Sequence, residues 1–331
     1  MNILITGGAG YIGSTVASAL LDRGHTPIIL DSLVTGCEAF TENRIFYRGD
    51  IADRPLLTRL FEEQGPIDAA IHCAALISVP ESTARPYEYY RENVGKSVEL
   101  FHNLNELGCR RIIFSSSASI YGAAKDFAAD ESTPLSPSCP YARTKYMVET
   151  VLADFCAAYD LRGLSLRYFN PIGADPEMRS GTFIRNASHI ISKLVSVSRG
   201  FEDCFSLTGV DWPTRDGSGI RDYIHVYDLA LAHVLAVERF DEAFARSGEA
   251  DYLPINLGTG RGVTVKELVA AFEKVLGREI PKVETGPRPG DVAGAYARAD
   301  RAKELLGWET TLTIEDGIRD ALAWNQKFFE E

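Results

Sequence analysis

Asn2-Ile3-Leu4-Ile5-Thr6-Gly7-Gly8-Ala9-Gly10-Tyr11-Ile12-Gly13 is the stretch that decides the fold. Its apolar first half predicts a short buried strand, and the pattern after Gly13 predicts a helix. The glycines at 7, 10 and 13 let the backbone turn tightly, approach a pyrophosphate closely and pack the helix on the strand. The helix N-terminus then faces the negative charge. The stretch predicts a dinucleotide-binding βαβ unit.

An acidic residue at the end of the next apolar run supports this prediction. Asp31 follows Ile28-Ile29-Leu30 and stands 18 residues after Gly13, where a carboxylate accepts hydrogen bonds from the adenosine ribose hydroxyls. The segment Ser32-Leu33-Val34-Thr35-Gly36 contains no Arg, and a carboxylate repels a 2′-phosphate. The predicted cofactor is therefore NAD and not NADP.

Length and charge narrow the class of protein. The 331 residues exceed one typical core, which favours one large α/β unit with a smaller second lobe. The formal net charge of −12 leaves no basic excess, so we expect this protein to bind neither nucleic acid nor an anionic membrane surface. A small anionic ligand remains compatible with a few converging Arg residues.

The cysteines and the N-terminus indicate a reduced, cytoplasmic protein. The six cysteines are scattered without a C-x-x-C pair, so neither a zinc site nor a disulfide framework is expected. The predicted first strand begins at residue 2, which leaves no room for a secretory signal, and no apolar run approaches the ~18 residues of a membrane span.

Strand-like and helix-like patterns alternate through residue 170. This alternation predicts a doubly wound parallel (Rossmann) sheet with helices on both faces, together with a smaller α/β substrate-binding lobe. The NAD-binding domain is predicted to comprise residues 1–170 plus about 223–245. The smaller lobe is predicted to comprise 171–222 and about 246–331. Residues 241–251 are predicted to form a solvated surface loop.

Tyr141-Ala-Arg-Thr-Lys145 is the strongest candidate for chemistry. A spacing of four residues places Tyr141 and Lys145 on one helix face. The phenol has an ordinary pKa near 10, and a neighbouring ammonium together with a positive nicotinamide ring favours the phenolate. On its own, a Tyr–Lys pair at this spacing is more typical of a solvated helix face. The serine cluster Ser115-Ser116-Ser117 at a strand end, and Asn93 in the preceding helical pattern, favour a catalytic site.

In these motifs the chain resembles the extended short-chain dehydrogenase/reductases, whose marks are TGxxGxxG, a strand-end Ser, YxxxK and an Asn. Within that group it resembles the UDP-glucose (UDP-galactose) 4-epimerases over essentially the whole chain. The more specific stretches are residues 114–122, the RYFNPIG segment at 167–173, GIRDYIHV at 219–226 and RPGD at 288–291.

The resemblance implies NAD as a tightly bound cofactor, a UDP-sugar substrate and a homodimer through helices around 85–107 and 141–160. It implies Tyr141, Lys145 and Ser117 as catalytic residues. The implied cofactor-binding residues are Gly7, Gly10, Tyr11, Ile12, Gly13, Asp31, Ser32, Thr35, Gly36, Asp50, Ile51, Cys73, Ala74, Ala75, Asn93, Ser115, Tyr141, Lys145 and Phe169. The implied substrate-binding residues are Ser117, Tyr141, Asn170, Asn186, Arg221, Arg288, Asp291 and Ala295.

The reaction implied is interconversion of UDP-glucose and UDP-galactose by inversion at C4 through a transient 4-keto sugar. Ala295 occupies the position that gates the 2-substituent in epimerases, and its small side chain predicts that UDP-N-acetylhexosamines also enter. Ile77 stands where the family commonly has Lys.

Two alternatives remain open on the sequence. One is another NAD-dependent nucleotide-sugar enzyme, such as a 4,6-dehydratase or an epimerase of UDP-glucuronate or a UDP-pentose. The other is a non-catalytic NAD(H)-sensing protein.

Overall fold

The computed structural model describes residues 1–122, 124–183, 189–287 and 292–330, without the side chain of Glu330. The strands in chain order are β1 Asn2–Thr6, β2 Thr26–Asp31, β3 Ile45–Arg48, β4 Ala69–His72, β5 Arg111–Ser115, β6 Ala128–Ala129, β7 Arg162–Tyr168, β8 Asn170–Ile172, β9 Phe205–Thr208, β10 Ile220–Arg221, β11 Tyr223–His225, β12 Tyr252–Leu257, β13 Val263–Thr264, β14 Lys282–Thr285 and β15 Tyr296–Ala297.

The helices in chain order are α1 Tyr11–Asp22, α2 Arg54–Gln64, α3 Val79–Ala84, α4 Pro86–Tyr89, α5 Lys96–Glu106, α6 Pro140–Ala158, α7 Ile190–Ser198, α8 Val226–Glu238, α9 Phe240–Ser247, α10 Val265–Leu276, α11 Asp300–Leu306 and α12 Ile314–Glu330. A π-helical segment, Tyr90–Gly95, lies between α4 and α5.

Seven parallel strands form the central sheet in the order β12-β7-β5-β4-β1-β2-β3. The order reverses between β1 and β4, so the crevice that binds ligands in such sheets opens at their carboxyl ends. These strands read as continuous apolar runs because helices cover both faces. The predicted doubly wound sheet is confirmed.

Two apolar layers hold the helices on the sheet. Buried residues of α1, α8, α9 and α11 pack with the strands on one face. Buried residues of α2, α5 and α6 pack on the other face. A third cluster joins α7, α10 and α12 with β9 and β11 in the smaller lobe. On the second of these faces, α6 holds the Tyr–Lys pair near the carboxyl end of β5.

Two predictions about the second half of the chain are wrong. Residues 241–251 do not form a loop throughout, because Phe240–Ser247 is the helix α9, which buries Phe240, Ala243 and Phe244 at helical spacing. The strand Tyr252–Leu257, assigned to the smaller lobe, pairs with β7 as the edge strand of the main sheet. Sequence distance hid this pairing, since the strand follows the long insertion that builds the lobe.

The smaller lobe is built from short strand pairs. β8 pairs with β11, β9 with β14, β10 with β13, and β15 with β6. The helix α8 returns to the main sheet and packs on α1, as predicted. The helical pattern at 85–107 corresponds to α4, the π-helical segment Tyr90–Gly95 and α5, which follow one another without a break.

Candidate active site

The glycine-rich turn after β1 leaves no room for side chains. Gly7 has φ +72°, and a Cβ there would lie 2.6 Å from the backbone nitrogen of Ala74. A Cβ at Gly13 would lie 2.3 Å from the carbonyl oxygen of Gly7. The helix α1 begins at Tyr11 without a side-chain cap, so its first backbone N–H groups point out of the turn. This arrangement fits a dinucleotide pyrophosphate.

Asp31 is held in place at the end of β2. Its carboxylate accepts hydrogen bonds from the backbone N–H groups of Ala9, at 3.0 Å, and Leu33, at 2.8 Å. A Cβ at Gly36 would lie 2.8 Å from Asp31 Oδ1, so the segment from Ser32 to Gly36 folds closely around the carboxylate. Each carboxylate oxygen keeps a lone pair for a ribose hydroxyl.

Asp50 and Ile51, two of the predicted cofactor-binding residues, follow β3. Asp50 forms an ion pair with Lys96 and accepts a hydrogen bond from the backbone N–H of Ala52 at 2.9 Å. Ile51 is buried beside it. Ile77, which stands where the family commonly has Lys, is 61% exposed and supplies no ammonium.

Tyr11 connects the glycine-rich turn to the smaller lobe. Its hydroxyl donates a hydrogen bond to the carbonyl oxygen of Gly173, at 2.7 Å, and burial raises its pKa. Gly173 adopts a left-handed conformation, φ +91°, just after Asn170 in β8. The RYFNPIG segment therefore runs directly beside the start of α1, with Phe169 and Asn170 at the carboxyl end of β7.

Lys145 is buried in α6 and is oriented by the end of β5. Its ammonium donates a hydrogen bond to the backbone carbonyl of Ser115 at 2.7 Å, and it lies 4.8 Å from the centre of the Phe114 ring. Burial lowers the pKa of Lys145 to about 8. Lys145 is thus fixed between the helix and the carboxyl edge of the sheet.

Tyr141 lies one helical turn before Lys145 and is half-buried. Burial raises the pKa of Tyr141 to about 12, while a hydrogen bond with Ser117 lowers it. The expectation that neighbouring charges lower this pKa is therefore not met by the chain's own residues. From about 12, a phenolate at neutral pH requires about 7 kcal/mol of additional stabilisation.

Ser117 acts both as a cap and as a neighbour of Tyr141. Its hydroxyl donates to the Ser119 hydroxyl at 2.9 Å and accepts from the Ser119 backbone N–H at 3.2 Å, which begins the short turn Ala118–Ile120. The same hydroxyl interacts with the Tyr141 phenol. The structure thus brings Ser117, Tyr141 and Lys145 to one place.

Asn93 is buried in the π-helical segment, and its side-chain amide forms hydrogen bonds with other residues of the protein. It accepts from the backbone N–H of Leu76 at 2.8 Å and donates to the carbonyl of Leu76 at 2.9 Å and to the Thr144 hydroxyl at 3.1 Å. Asn93 therefore joins the loop after β4 to α6 next to Lys145. An extra residue in a π-turn redirects a side chain at such sites.

His233 is a residue at this site that the sequence did not single out. The Ser115 hydroxyl lies 2.7 Å from His233 Nε2 and 3.1 Å from the Cys73 thiol. His233 Nδ1 lies 2.9 Å from the Leu229 carbonyl, which requires a proton on Nδ1, and burial lowers its pKa to about 4. Neutral His233 therefore accepts from Ser115 and fixes the end of β5. The available signal was a lone His in the apolar helix α8.

Arg221, predicted to bind the nucleotide-sugar, lies at the end of β10. Its guanidinium donates to the carbonyl oxygens of Ile220 at 2.7 Å, Ala293 at 3.0 Å and Val292 at 3.2 Å. Gly294 approaches the same guanidinium so closely that a Cβ there would lie 2.0 Å from Nη1. Ala295, the predicted gate, follows Gly294 directly in the chain. The predicted residues Asn186, Arg288 and Asp291 lie outside the described residues.

The fold and this site define a dinucleotide-dependent enzyme with a Ser, Tyr and Lys grouped at the carboxyl edge of a Rossmann sheet. A model of the NAD dependent epimerase/dehydratase family matches residues 3–250. The chain belongs to this family.

A UDP-glucose 4-epimerase of Azospirillum brasilense is 41% identical over 326 residues, which cover 98% of this chain and 92% of the relative. A crystal structure of UDP-glucose-4-epimerase from Stenotrophomonas maltophila, with bound NAD and formylated UDP-arabinopyranose, matches with a TM-score of 0.93 and 37% identity over 100% of this chain and 99% of that one. UDP-glucose 4-epimerase from Brucella ovis in complex with NAD matches with a TM-score of 0.91 and 39% identity, over 99% of this chain and 98% of that one. The predicted family and the predicted NAD cofactor are confirmed.

Proposed function

We propose that this chain interconverts UDP-glucose and UDP-galactose by inversion at C4 of the sugar, through a transient 4-keto sugar and with NAD kept bound. The observation that carries the proposal is the grouping of Ser117, Tyr141 and Lys145 at the carboxyl edge of the dinucleotide-binding sheet. The similarity to UDP-glucose 4-epimerases over nearly the whole chain supports it.

Tyr141 is the proposed base that takes the proton of the sugar 4-hydroxyl, and Ser117 hydrogen-bonds the same oxygen. The glycine-rich turn and Asp31 would hold NAD, which would supply a hydride acceptor for C4 and a positively charged nicotinamide ring. The chain's own residues leave the pKa of Tyr141 raised, so the proposed shift toward the phenolate depends on the positive ring of the bound cofactor. Lys145, one helical turn away, is proposed to act together with that ring. The hydride returns to C4 and the proton that Tyr141 takes returns to the sugar oxygen, so no net redox change occurs.

Inversion requires the 4-keto sugar to present its other face before the hydride returns. The UDP part must therefore be held while the sugar turns, which assigns most of the binding energy to remote contacts. Among the residues that the structure describes, Arg221 is the candidate to bind the diphosphate, because a guanidinium can form hydrogen bonds with two oxygens at once. Asn170, Asn186, Arg288 and Asp291 remain proposed partners of the nucleotide-sugar.

The alternatives are less well supported. A 4,6-dehydratase is expected to have an Asp-Glu pair after the strand-end hydroxyl, where this chain has Ala118-Ser119. Epimerases of uronates usually depart from Asn-Pro-Ile-Gly after Arg-Tyr-Phe, which this chain retains at 170–173. An NAD(H)-sensing protein tends to lose the Tyr or the Lys, and both are present here.

We further propose a cytoplasmic homodimer that pairs through α4, α5 and α6. Support comes from exposed side chains on α4 and α6: Tyr87 is 70% exposed, Met147 41% and Tyr146 39%. All six cysteines are free thiols, which suits a reducing compartment. In the part of the chain that the structure describes, no helix is both long and apolar enough to cross a membrane. Sedimentation analysis of the purified protein tests the dimer, and a monomer would refute it.

The function is tested by incubating the purified protein with UDP-galactose, UDP-N-acetylgalactosamine and UDP-xylose in separate reactions, followed by product identification. We expect UDP-glucose from the first reaction and UDP-N-acetylglucosamine from the second. Absence of UDP-glucose would refute the proposed activity. Turnover of UDP-xylose alone would favour a pentose epimerase.

A further inference from the structure

A buried acid on α6 lies outside the site described above. Tyr141, Lys145 and Glu149 recur at intervals of four residues along this helix, so they share one face. Glu149 is 3% exposed and lies beside the apolar residues Val148 and Leu152. A carboxylate in such surroundings carries a large desolvation cost, and an apolar residue would often serve stability as well.

Every hydrogen bond of this carboxylate joins α6 to the central sheet. The Arg167 guanidinium in β7 donates from Nη2 at 2.6 Å and from Nε at 3.0 Å. The Tyr252 hydroxyl in β12 donates at 3.0 Å, and the Ser116 hydroxyl also donates to it. Ser116 stands between Ser115, whose carbonyl holds Lys145, and Ser117, which faces Tyr141. Glu149 therefore ties the helix that carries Tyr141 and Lys145 to the strand end that carries Ser117.

The network continues behind Arg167. Its Nη1 donates to the Tyr121 hydroxyl at 3.0 Å, and that hydroxyl donates to Asn256 Oδ1 at 2.6 Å. Tyr121 follows the short turn that Ser117 begins, and Asn256 belongs to β12. The polar groups of this network are thus all paired by hydrogen bonds, which makes the network rigid.

We propose that Glu149 is a positioning residue for the epimerisation: through Ser116 and Arg167 it sets the distance between the Tyr141–Lys145 face of α6 and the serine-bearing end of β5. This inference rests on the proposed function. A displacement of about 1 Å between reacting groups costs up to about 100-fold in rate. The expected loss therefore falls on kcat, while the KM for the UDP-sugar, which depends on contacts on the Arg221 side, stays nearly unchanged.

The charge of Glu149 also acts on Lys145. Burial lowers the pKa of Lys145, and Cys73 and Glu149 oppose that shift. Burial raises the pKa of Cys73 to about 11, so its thiol is neutral at neutral pH. His72, which also faces Lys145, is neutral too, because burial and Lys145 lower its pKa to about 3. Glu149 therefore opposes the effect of burial on Lys145 and favours its protonated form.

The first test replaces Glu149 by Gln in the full-length protein. We expect kcat with UDP-galactose to fall about 10-fold or more with KM within about twofold. We also expect the pKa of Lys145 to fall by about one unit. That pKa is followed by NMR of ¹³C-labelled lysine, with the signal assigned by its loss in Lys145→Met. The matched control is Asp154→Asn, which removes the same charge from the exposed side of α6 and should leave both readouts unchanged.

A folded Glu149→Gln protein with wild-type kcat, or with an unchanged pKa of Lys145, would overturn the proposal. If the variant fails to fold because Arg167 is left unpaired, the double variant Glu149→Met/Arg167→Met removes both buried charges together. It should fold, with a lower kcat and a lower pKa of Lys145. Wild-type values of both in the double variant would equally overturn the proposal. The lysine titration needs no substrate, so failure of the proposed function is separately visible as absent turnover in the wild-type protein.

Discussion

The cofactor side and the sugar side of the site are built in different ways. On the cofactor side, Asp31, Asn93 and Lys145 are buried and held by short hydrogen bonds to backbone atoms of the central sheet and its loops. On the sugar side, Arg221 donates to the carbonyl groups of Val292 and Ala293, about 70 residues further along the chain, where an isolated bridge pairs Ile220 with Gly294. The comparison suggests a division of labour, in which the cofactor is gripped while the sugar keeps freedom to turn.

The largest effect is expected from removing the proposed base, on which the chemistry of both sides depends. Tyr141→Phe should reduce kcat by about 10²- to 10⁴-fold, because the proton of the 4-hydroxyl loses its acceptor. The lost hydrogen bond with Ser117 should cost only about 1 kcal/mol of stability. Initial rates with UDP-galactose and a thermal melt measure the two effects. Near-normal turnover would exclude Tyr141 as the base.

The second prediction tests how permissive the sugar side is. Ala295→Tyr puts a bulky side chain at the predicted gate and should reduce turnover of UDP-N-acetylgalactosamine by at least about 100-fold, a loss of about 3 kcal/mol of discrimination. Turnover of UDP-galactose should change little, since its 2-hydroxyl is small. Rates with both substrates check this. Equal loss with both would show that Ala295 does not gate the 2-substituent.

The third prediction tests how tightly the cofactor side is packed. Gly7 and Gly24 have nearly the same left-handed φ, +72° and +74°, but a Cβ at Gly24 meets nothing within 4 Å. Gly24→Ala should therefore cost only the conformational strain, about 1 kcal/mol. Gly7→Ala adds a clash with the Ala74 backbone, which should cost a further 1–3 kcal/mol or so and weaken NAD binding.

Chemical denaturation and NAD titration of the two variants measure these differences. Equal destabilisation by the two substitutions, with unaltered NAD affinity, would mean that the turn after β1 is not packed as tightly as the structure has it.

The smallest effect concerns the pH dependence of stability. Burial lowers the pKa of Lys145 from 10.5 to about 8. Between about pH 8 and 10.5 the unfolded chain holds a proton that the folded protein has lost, so the free energy of unfolding rises with pH through this window. The rise due to Lys145 should reach about 1–3 kcal/mol, and Lys145→Met should lack it. Below pH 8 this contribution does not vary.

Denaturation curves of the wild type and Lys145→Met at pH 7.5 and 9.5 give the difference directly. Tyr141 acts in the opposite sense above pH 10, since its raised pKa makes the folded state lose stability there, and this choice of pH values avoids that range. The same pH response in both proteins would contradict the buried position of Lys145.

The sequence predicted the fold well wherever local patterns determine it. The strands β1 to β5 and β7 read as apolar runs, and the glycine-rich turn followed by α1 has its own signature. The strand β12 was misplaced because nothing local to Tyr252–Leu257 reveals its pairing with β7. The helix α9 was missed although Phe240, Ala243 and Phe244 carry its period, since the acidic residues around them suggested a loop.

The site was predictable in composition but not in its supporting contacts. Tyr141 and Lys145 follow from a spacing, and Ser117 from a strand end. The partners of Asn93 and the hydrogen bonds of Glu149 and His233 join residues far apart in the chain, which no short motif encodes. Charged or imidazole side chains within buried runs, such as Arg167 between Leu166 and Tyr168, were the available signal.

One labelling experiment tests most directly whether the C4 hydrogen leaves and returns inside the site. UDP-galactose deuterated at C4 is incubated with the purified protein in ordinary water, with no added reductant, and the product is examined by NMR. The account predicts UDP-glucose that retains the deuterium at C4. UDP-glucose in which that deuterium has been replaced by solvent hydrogen would contradict it.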